Sequence, residues 1–115
     1  MRRYLPPALV LSILVACGGS GTDKASVKLF KASGSVQCTG GGTPPTVMRL
    51  ELINAGIIVL SSACGSDGLV HVMTCGTPDG TINIFEIPEG QANSALALSY
   101  SLLSTLPTAT EVPCS

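Results

Sequence analysis

Residues 69–87 read L-V-H-V-M-T-C-G-T-P-D-G-T-I-N-I-F-E-I, and this stretch decides the fold that we predict. Side chains alternate between two faces in the segments before and after the central G-T-P-D-G. That central segment, residues 76–80, is rich in residues that favour tight turns. Strands with a turn of this kind between them are typical of a β-hairpin. We therefore predict two strands, residues 69–74 and 81–87, joined by the turn at residues 76–80.

Two further strands are predicted outside this hairpin. Residues 27–32 (V-K-L-F-K-A) alternate and include two lysines, which is typical of a strand near a sheet edge. Residues 57–60 (I-I-V-L) are continuously apolar, which predicts a central strand covered on both faces. Residues 35–38 either continue the first strand after a bulge or fold back as a hairpin.

Two helices complete the pattern. The first is predicted to begin at Thr43 as N-cap, to run to Ala55 and to end at Gly56. The second opens at Pro88 and has its apolar stripe within residues 91–99. The order β-α-β-β-β-α plus a tail with one short strand predicts an α+β fold. We expect a small, mostly antiparallel sheet with two helices on one face, in a single domain over residues 27–115.

Residues 1–16 have the features of a secretory signal peptide. Arg2 and Arg3 precede an apolar run of residues 5–16, which is shorter than the roughly 20 residues of a membrane-spanning helix. A buried helix of the fold is the alternative, and Pro6 and Pro7 disfavour it.

The run L-V-A-C at residues 14–17 resembles the lipobox of bacterial lipoproteins. The resemblance implies cleavage before Cys17, which would carry a diacylglyceryl thioether and an N-acyl chain such as palmitate. Several acyl chains anchor a protein stably in a membrane. Gly18 after the cysteine implies the periplasmic face of the outer membrane, and residues 17–26 form a flexible tether. The alternative is a soluble secreted protein with an unmodified Cys17.

Four cysteines remain for the body of the protein, at positions 38, 64, 75 and 114. In an oxidising compartment an even number predicts two disulfides, and four cysteines allow three pairings. A zinc site that includes His71 is the alternative, but no C-x-x-C pair is present.

The body also resembles a family of small uncharacterised exported proteins of Gram-negative bacteria. The segments that carry the resemblance are S-V-Q-C at 35–38, A-G-I at 55–57, G-S-D-G-L at 65–69, C-G at 75–76 and F-E-I-P at 85–88. It implies a fold and a compartment but no activity. It also implies a bridge from Cys38 to Cys75 and, with it, one from Cys64 to Cys114.

Composition limits the functions that the chain can have. The net charge is −1 and Trp is absent, which argues against nucleic acid as a partner. His71 is the single histidine and has no partner nearby in sequence that would complete a triad. The glycines at 40–42 lack the lysine of a phosphate loop, and Asp67 and Asp79 are turn residues with too few oxygen ligands around them for calcium. We predict no catalytic residue, no metal and no cofactor.

The best-supported function is therefore a lipid-anchored binding or interaction domain of the cell envelope. Its partners would be the membrane, through Cys17, and an envelope protein that contacts a sheet face or edge strand. One alternative is an exported thiol-redox protein or enzyme that uses the body cysteines or His71. A second alternative is an inhibitor of an envelope hydrolase.

Overall fold

The computed structural model describes residues 25–114, so the predicted signal peptide, Cys17 and nearly all of the tether lie outside the described residues. Ser26, which was predicted to end the tether, is already the first residue of a strand. The main elements are β1 (Ser26–Ala32), α1 (Pro45–Asn54), β2 (Ser61–Ser66), β3 (Thr81–Pro88), α2 (Ala92–Leu96), β4 (Ser101–Leu102) and β5 (Thr110–Val112).

The five strands form one sheet in the order β4-β1-β3-β2-β5, and all four neighbouring pairs are antiparallel. This confirms the predicted α+β class with its small antiparallel sheet, two helices and disulfide bridges. The central strand is β3, which pairs with β1 on one side and with β2 on the other. Its alternating sequence T-I-N-I-F-E-I-P is buried on both faces, as a central strand requires.

One face of the sheet packs against the helices. Leu29 of β1 and Phe85 of β3 are fully buried there, together with Met48 and Leu52, which lie one turn apart on α1. Tyr100 adds an edge-to-face contact with Phe85, with ring centroids 5.9 Å apart.

Asn83 is the buried polar residue of this face, and its side chain fixes the entrance to α1. Its amide nitrogen donates to the carbonyl oxygen of Thr43 at 2.7 Å and also lies 3.3 Å from Met48 Sδ. Thr43 is not the N-cap that the sequence predicts. The cap position is Pro44, without a side-chain cap, because the hydrogen bonds of the Thr43 backbone hold the preceding loop instead.

The opposite face is covered by the C-terminal part of the chain. β4 lies on one edge of the sheet and β5 on the other, so residues 103–109, which we call the strap, cross between the edges. Beneath this crossing Ile82 and Ile84 of β3 are almost completely buried. The predicted free sheet face is therefore largely closed.

Two predicted strands are wrong. Residues 57–60 are not a strand, because Ile57 packs into the core while Ile58 and Leu60 point to solvent. The strand that pairs with β3 is instead S-S-A-C-G-S at Ser61–Ser66. Residues 69–74 form a loop, because both sides of β3 are already occupied. The second helix is also shorter than predicted, and the tail contains two short strands instead of one.

Two disulfides hold the domain at its periphery. Cys38 is bonded to Cys75 and Cys64 to Cys114, with Cα–Cα distances of 5.1 and 5.2 Å. This is the pairing that the family resemblance implies.

Candidate interaction site

The most exposed apolar side chains of the domain lie in one loop, residues 67–75, which we call the apolar loop. Val70 is fully exposed, Met73 is 86% exposed and Val72 is 65% exposed. Leu69 is half exposed. No acidic or basic side chain other than His71 lies between Gly68 and Gly76. Apolar side chains displayed together in this way commonly mark an interaction site.

The loop stands on a rigid frame that extends the β1–β3 pairing beyond the sheet. Ser33 N donates to Thr81 O at 3.0 Å, Asp79 N to Ser35 O at 3.2 Å and Gln37 N to Thr77 O at 2.8 Å. The chain then turns back sharply, with two backbone hydrogen bonds between Val36 and Gly40. Residues 35–38 thus combine the two predicted arrangements: they lie alongside the chain that precedes β3, and they also begin a tight turn. This turn brings Cys38 to Cys75 at the end of the apolar loop.

The first half of the loop is fixed by Asp67. One carboxylate oxygen accepts from Leu69 N at 2.9 Å, and His71 Nε2 lies 2.8 Å from the other. The backbone N–H of Asp67 donates to Gly80 O at 2.9 Å. A side chain at Gly80, where φ is +90°, would collide with the Asp67 carboxylate and the His71 ring. The Asp67–His71 pair therefore packs directly on the turn before β3.

The second half of the loop is braced by a single hydroxyl. Thr77 Oγ1 lies 2.6 Å from the carbonyl oxygen of Thr74 and 3.2 Å from that of Val72. Thr77 N also donates to Thr74 O at 3.1 Å. Met73 is therefore held between two fixed carbonyls while its own side chain projects into solvent.

A small cavity of about 130 Å³ lies beside the base of the loop. Its walls include Val36, Asp67, His71, Pro78 and Ile82. A space of this size holds roughly four water molecules or one small side chain.

Hydroxyl and thiol groups near this cavity are engaged in structural contacts. Ser35 Oγ donates to Asp79 Oδ2 at 2.5 Å, and Asp79 Oδ1 accepts from Thr81 N at 3.0 Å. The Ser35 hydrogen bond, supported by Thr81, lowers the pKa of the Asp79 carboxyl. Among the described residues the polar side-chain contact of the His71 ring is with Asp67. The four body cysteines, which the redox alternative would use, are paired in disulfides.

A second polar cluster lies between α1 and the chain after α2. Tyr100 Oη donates to Glu51 Oε1 at 2.7 Å, and Lys31 Nζ donates to the same oxygen at 3.1 Å. Lys31 also lies over the Tyr100 ring at 4.8 Å. These hydrogen bonds, that of Tyr100 first, lower the pKa of Glu51, while burial raises the pKa of Tyr100. The cluster ties α1 to β1 and has the character of a structural brace.

Other regions named by the sequence have simpler roles. The glycines at 40–42 form a turn with positive φ angles, and a side chain at Gly42 would collide with the Ser33 and Ser35 backbone. An open groove of about 450 Å³ lies between β1 and the strap, with Leu103 and Leu106 in its wall. On α1, Val47 and Leu50 form a second, flatter apolar area that is about half exposed.

Within residues 25–114, no three His, Cys, Asp or Glu side chains are grouped as a metal site would require. In the same range no helix has the length and apolar character needed to cross a membrane.

The sequence placed the main residues of this site in a strand. Val70 and Met73 were assigned to opposite faces of a predicted hairpin, whereas the structure displays both on one loop. The available signal was the apolar character of both faces of residues 69–73, which a strand can bury only at the centre of a sheet. Comparison with protein-family models, curated proteins and solved structures finds no match to this chain.

Proposed function

We propose that the protein is a lipid-anchored interaction domain of the bacterial cell envelope, and that the apolar loop is its contact surface. The lipobox ending at Cys17 supports the anchor and, with Gly18, the periplasmic face of the outer membrane. The two disulfides agree with an oxidising compartment. The observation that carries the interaction role is the exposure of four apolar side chains in one loop, at positions 69, 70, 72 and 73, with Val70 and Met73 the most exposed.

The exposure of this loop leaves a substantial free energy available for binding. Burying a Val, Leu or Met side chain contributes about 1.5–3 kcal/mol. The four side chains at 69, 70, 72 and 73 are together exposed to the extent of about three whole side chains and therefore offer roughly 4.5–9 kcal/mol. The fixed backbone lowers the entropy lost on association, which favours a specific partner.

The first experiment measures the intact mass of the native protein purified from membranes. We expect the mass of the chain from Cys17 onward plus its acyl groups, less four hydrogens for two disulfides. A soluble protein with an unmodified Cys17, or with free body thiols, contradicts the proposal.

The second experiment tests the contact surface by crosslinking in intact cells. We expect Val70→Ser and Met73→Ser to abolish a specific crosslinked species that the unaltered protein forms. Leu50→Ser on α1 is the matched control, because Leu50 is also half exposed and apolar but distant from the loop in sequence. Crosslinking that is lost with Leu50→Ser and kept with Met73→Ser would assign the contact to α1 instead.

A further inference from the structure

We infer that the apolar loop binds the substrate cleft of an endoprotease with an apolar specificity pocket, and that Met73 is the side chain that enters this pocket. This inference rests on the proposed function and names the class of partner. It develops from three properties of the loop: the exposure of Met73, the unpaired backbone and the internal bracing.

The backbone of the loop is available for pairing with a partner. Within the described part of the chain, the backbone hydrogen bonds of residues 70–74 are confined to the carbonyls of Val72 and Thr74. The N–H groups of this stretch and the carbonyls of Val70, His71 and Met73 have no hydrogen-bond partner among the described residues. Protease clefts bind peptide segments by adding them to a strand edge while alternate side chains enter pockets.

The bracing by Thr77 singles out Met73. The one proton of the threonine hydroxyl is shared between the carbonyls on either side, with Thr74 O at 2.6 Å and Val72 O at 3.2 Å, and the Met73 carbonyl between them has no partner among the described residues. A carbonyl that is to enter an oxyanion hole must have its acceptor lone pairs free. Because Met73 is long, unbranched and 86% exposed, it suits a deep apolar pocket.

The Cys38–Cys75 disulfide after the loop would hold the two new chain ends together if a protease cleaved the loop. A break of the Met73–Thr74 bond would leave one new end attached to β2 and the other attached through Cys75 to Cys38. Both ends would stay on the same frame. A cleaved loop that stays in place continues to occupy the cleft, which is the behaviour of an inhibitor rather than of a substrate.

Charge favours a protein cleft over a lipid surface as the partner. Residues 25–114 include three basic side chains against six acidic ones, and no Lys or Arg follows Arg49. Loops and helices that bind anionic bilayers are usually assisted by basic residues, and the apolar loop contains no Lys or Arg.

The test uses the mature, lipidated protein in detergent with three endoproteases, whose preferences are for medium-sized aliphatic, large apolar and basic side chains. We expect competitive inhibition of at least one of the first two and none of the third. Met73→Lys is expected to create inhibition of the third protease, which the unaltered protein does not inhibit, because the specificity pocket of that protease accepts a basic side chain. Val47→Lys on α1 is the matched control and should create none.

Thr77→Val tests the bracing, because it removes the hydroxyl at nearly constant volume. We expect the variant to be cleaved in the loop faster than the unaltered protein and to inhibit less. Circular dichroism with intact disulfides confirms that the variant is folded. Equal inhibition by the folded variant and the unaltered protein overturns the role of the brace.

Two outcomes overturn the inference while leaving the proposed function intact. The first is a Met73-dependent crosslink in cells together with an absence of inhibition of all three proteases.

The second is insertion of the loop into lipid. To detect it, the protein is placed in vesicles of phosphatidylethanolamine and phosphatidylglycerol and treated with peroxide. Protection of Met73 from oxidation relative to detergent, with the buried Met48 as internal reference, would show a membrane contact.

Discussion

Removal of the Cys64–Cys114 disulfide should destabilise the domain strongly and loosen its C-terminal part. The bridge closes a loop with a sequence separation of 50 residues. For a loop of this length, the chain-entropy relation gives about 4 kcal/mol of stabilisation. In a domain of this size, that loss lowers the melting temperature by roughly 15–30 °C.

The region that loosens can be specified from the pairing of β5. This strand is held by three residue pairs with β2 and by the exposed Lys28–Glu111 ion pair at 3.0 Å. An exposed ion pair contributes about 0–1 kcal/mol, and three strand pairs do not hold a terminus by themselves. Without the bridge, β5 and the strap should detach often and expose Ile82 and Ile84 to water.

The assay combines thermal unfolding with hydrogen exchange of the Cys64→Ala, Cys114→Ala double variant. Amide hydrogen exchange should accelerate at residues 103–112. The β3 amides that are hydrogen-bonded to β1 should remain protected from exchange. The paired control is Cys38→Ala, Cys75→Ala, whose separation of 37 residues gives a similar entropy of about 4 kcal/mol. In that variant the acceleration should be confined to residues 67–79. A loss below about 1 kcal/mol, or the same exchange pattern in both variants, would refute the reasoning.

Three further predictions follow from individual contacts. Leu52→Ala removes a fully buried side chain between α1 and the sheet, and urea unfolding should show a loss of about 2–5 kcal/mol. Gly80→Ala places a methyl group against Asp67 and His71, so exchange at residues 67–75 should accelerate, whereas little change there would contradict the packing. The hydrogen bonds that lower the pKa of Glu51 stabilise the fold at pH values above the usual pKa of a carboxyl group. This stabilisation is lost as the pH falls below about 4. Glu51→Gln should therefore flatten the dependence of the unfolding free energy on pH between about 5 and 3, and an unchanged slope would exclude this role.

Periodicity in the sequence identified the elements that form the core. β3 was predicted because Ile82 and Ile84 alternate with Asn83 and Phe85, and both faces of this strand are buried. The first helix was also predicted, and the structure places Met48 and Leu52, which lie four residues apart on it, in the core. These patterns are visible because burial on a defined face restricts which residue types occur there.

Periodicity failed where the chain lacks such a restriction. The strand Ser61–Ser66 is composed of small residues with little apolar pattern, and it is specified by its partners instead. At Gly65 a side chain would collide with Ile84 and the Thr110 backbone, so small size is itself the requirement. The strap was missed for a related reason: its position depends on which two edges β4 and β5 occupy, and local sequence does not encode that choice.

The same physics explains why the candidate site was predicted in the wrong conformation. Residues 69–74 have a composition that favours strands, and such residues pair only if a strand edge is free. β1 and β2 occupy both edges of β3, so the segment is excluded from the sheet although its composition suits one. The Cys38–Cys75 disulfide and the hydrogen bonds of Asp67 and Thr77 hold the loop, whereas its most exposed apolar side chains project into solvent.

Val70 and Met73 contribute little to the folded domain, since they are exposed at 100% and 86%, and exposed apolar residues also favour aggregation. The frame below them contains two turns of restricted geometry, at Cys38 and at Gly80, together with a disulfide and a braced threonine. A rigid support for residues that do not stabilise the fold is expected when those residues must be presented in one fixed arrangement to something else. A solvent-exposed loop without a partner would need neither the bracing nor the concentration of apolar side chains at 69, 70, 72 and 73, and the combination of the two is therefore the strongest physical argument for the proposal that this loop is a binding element.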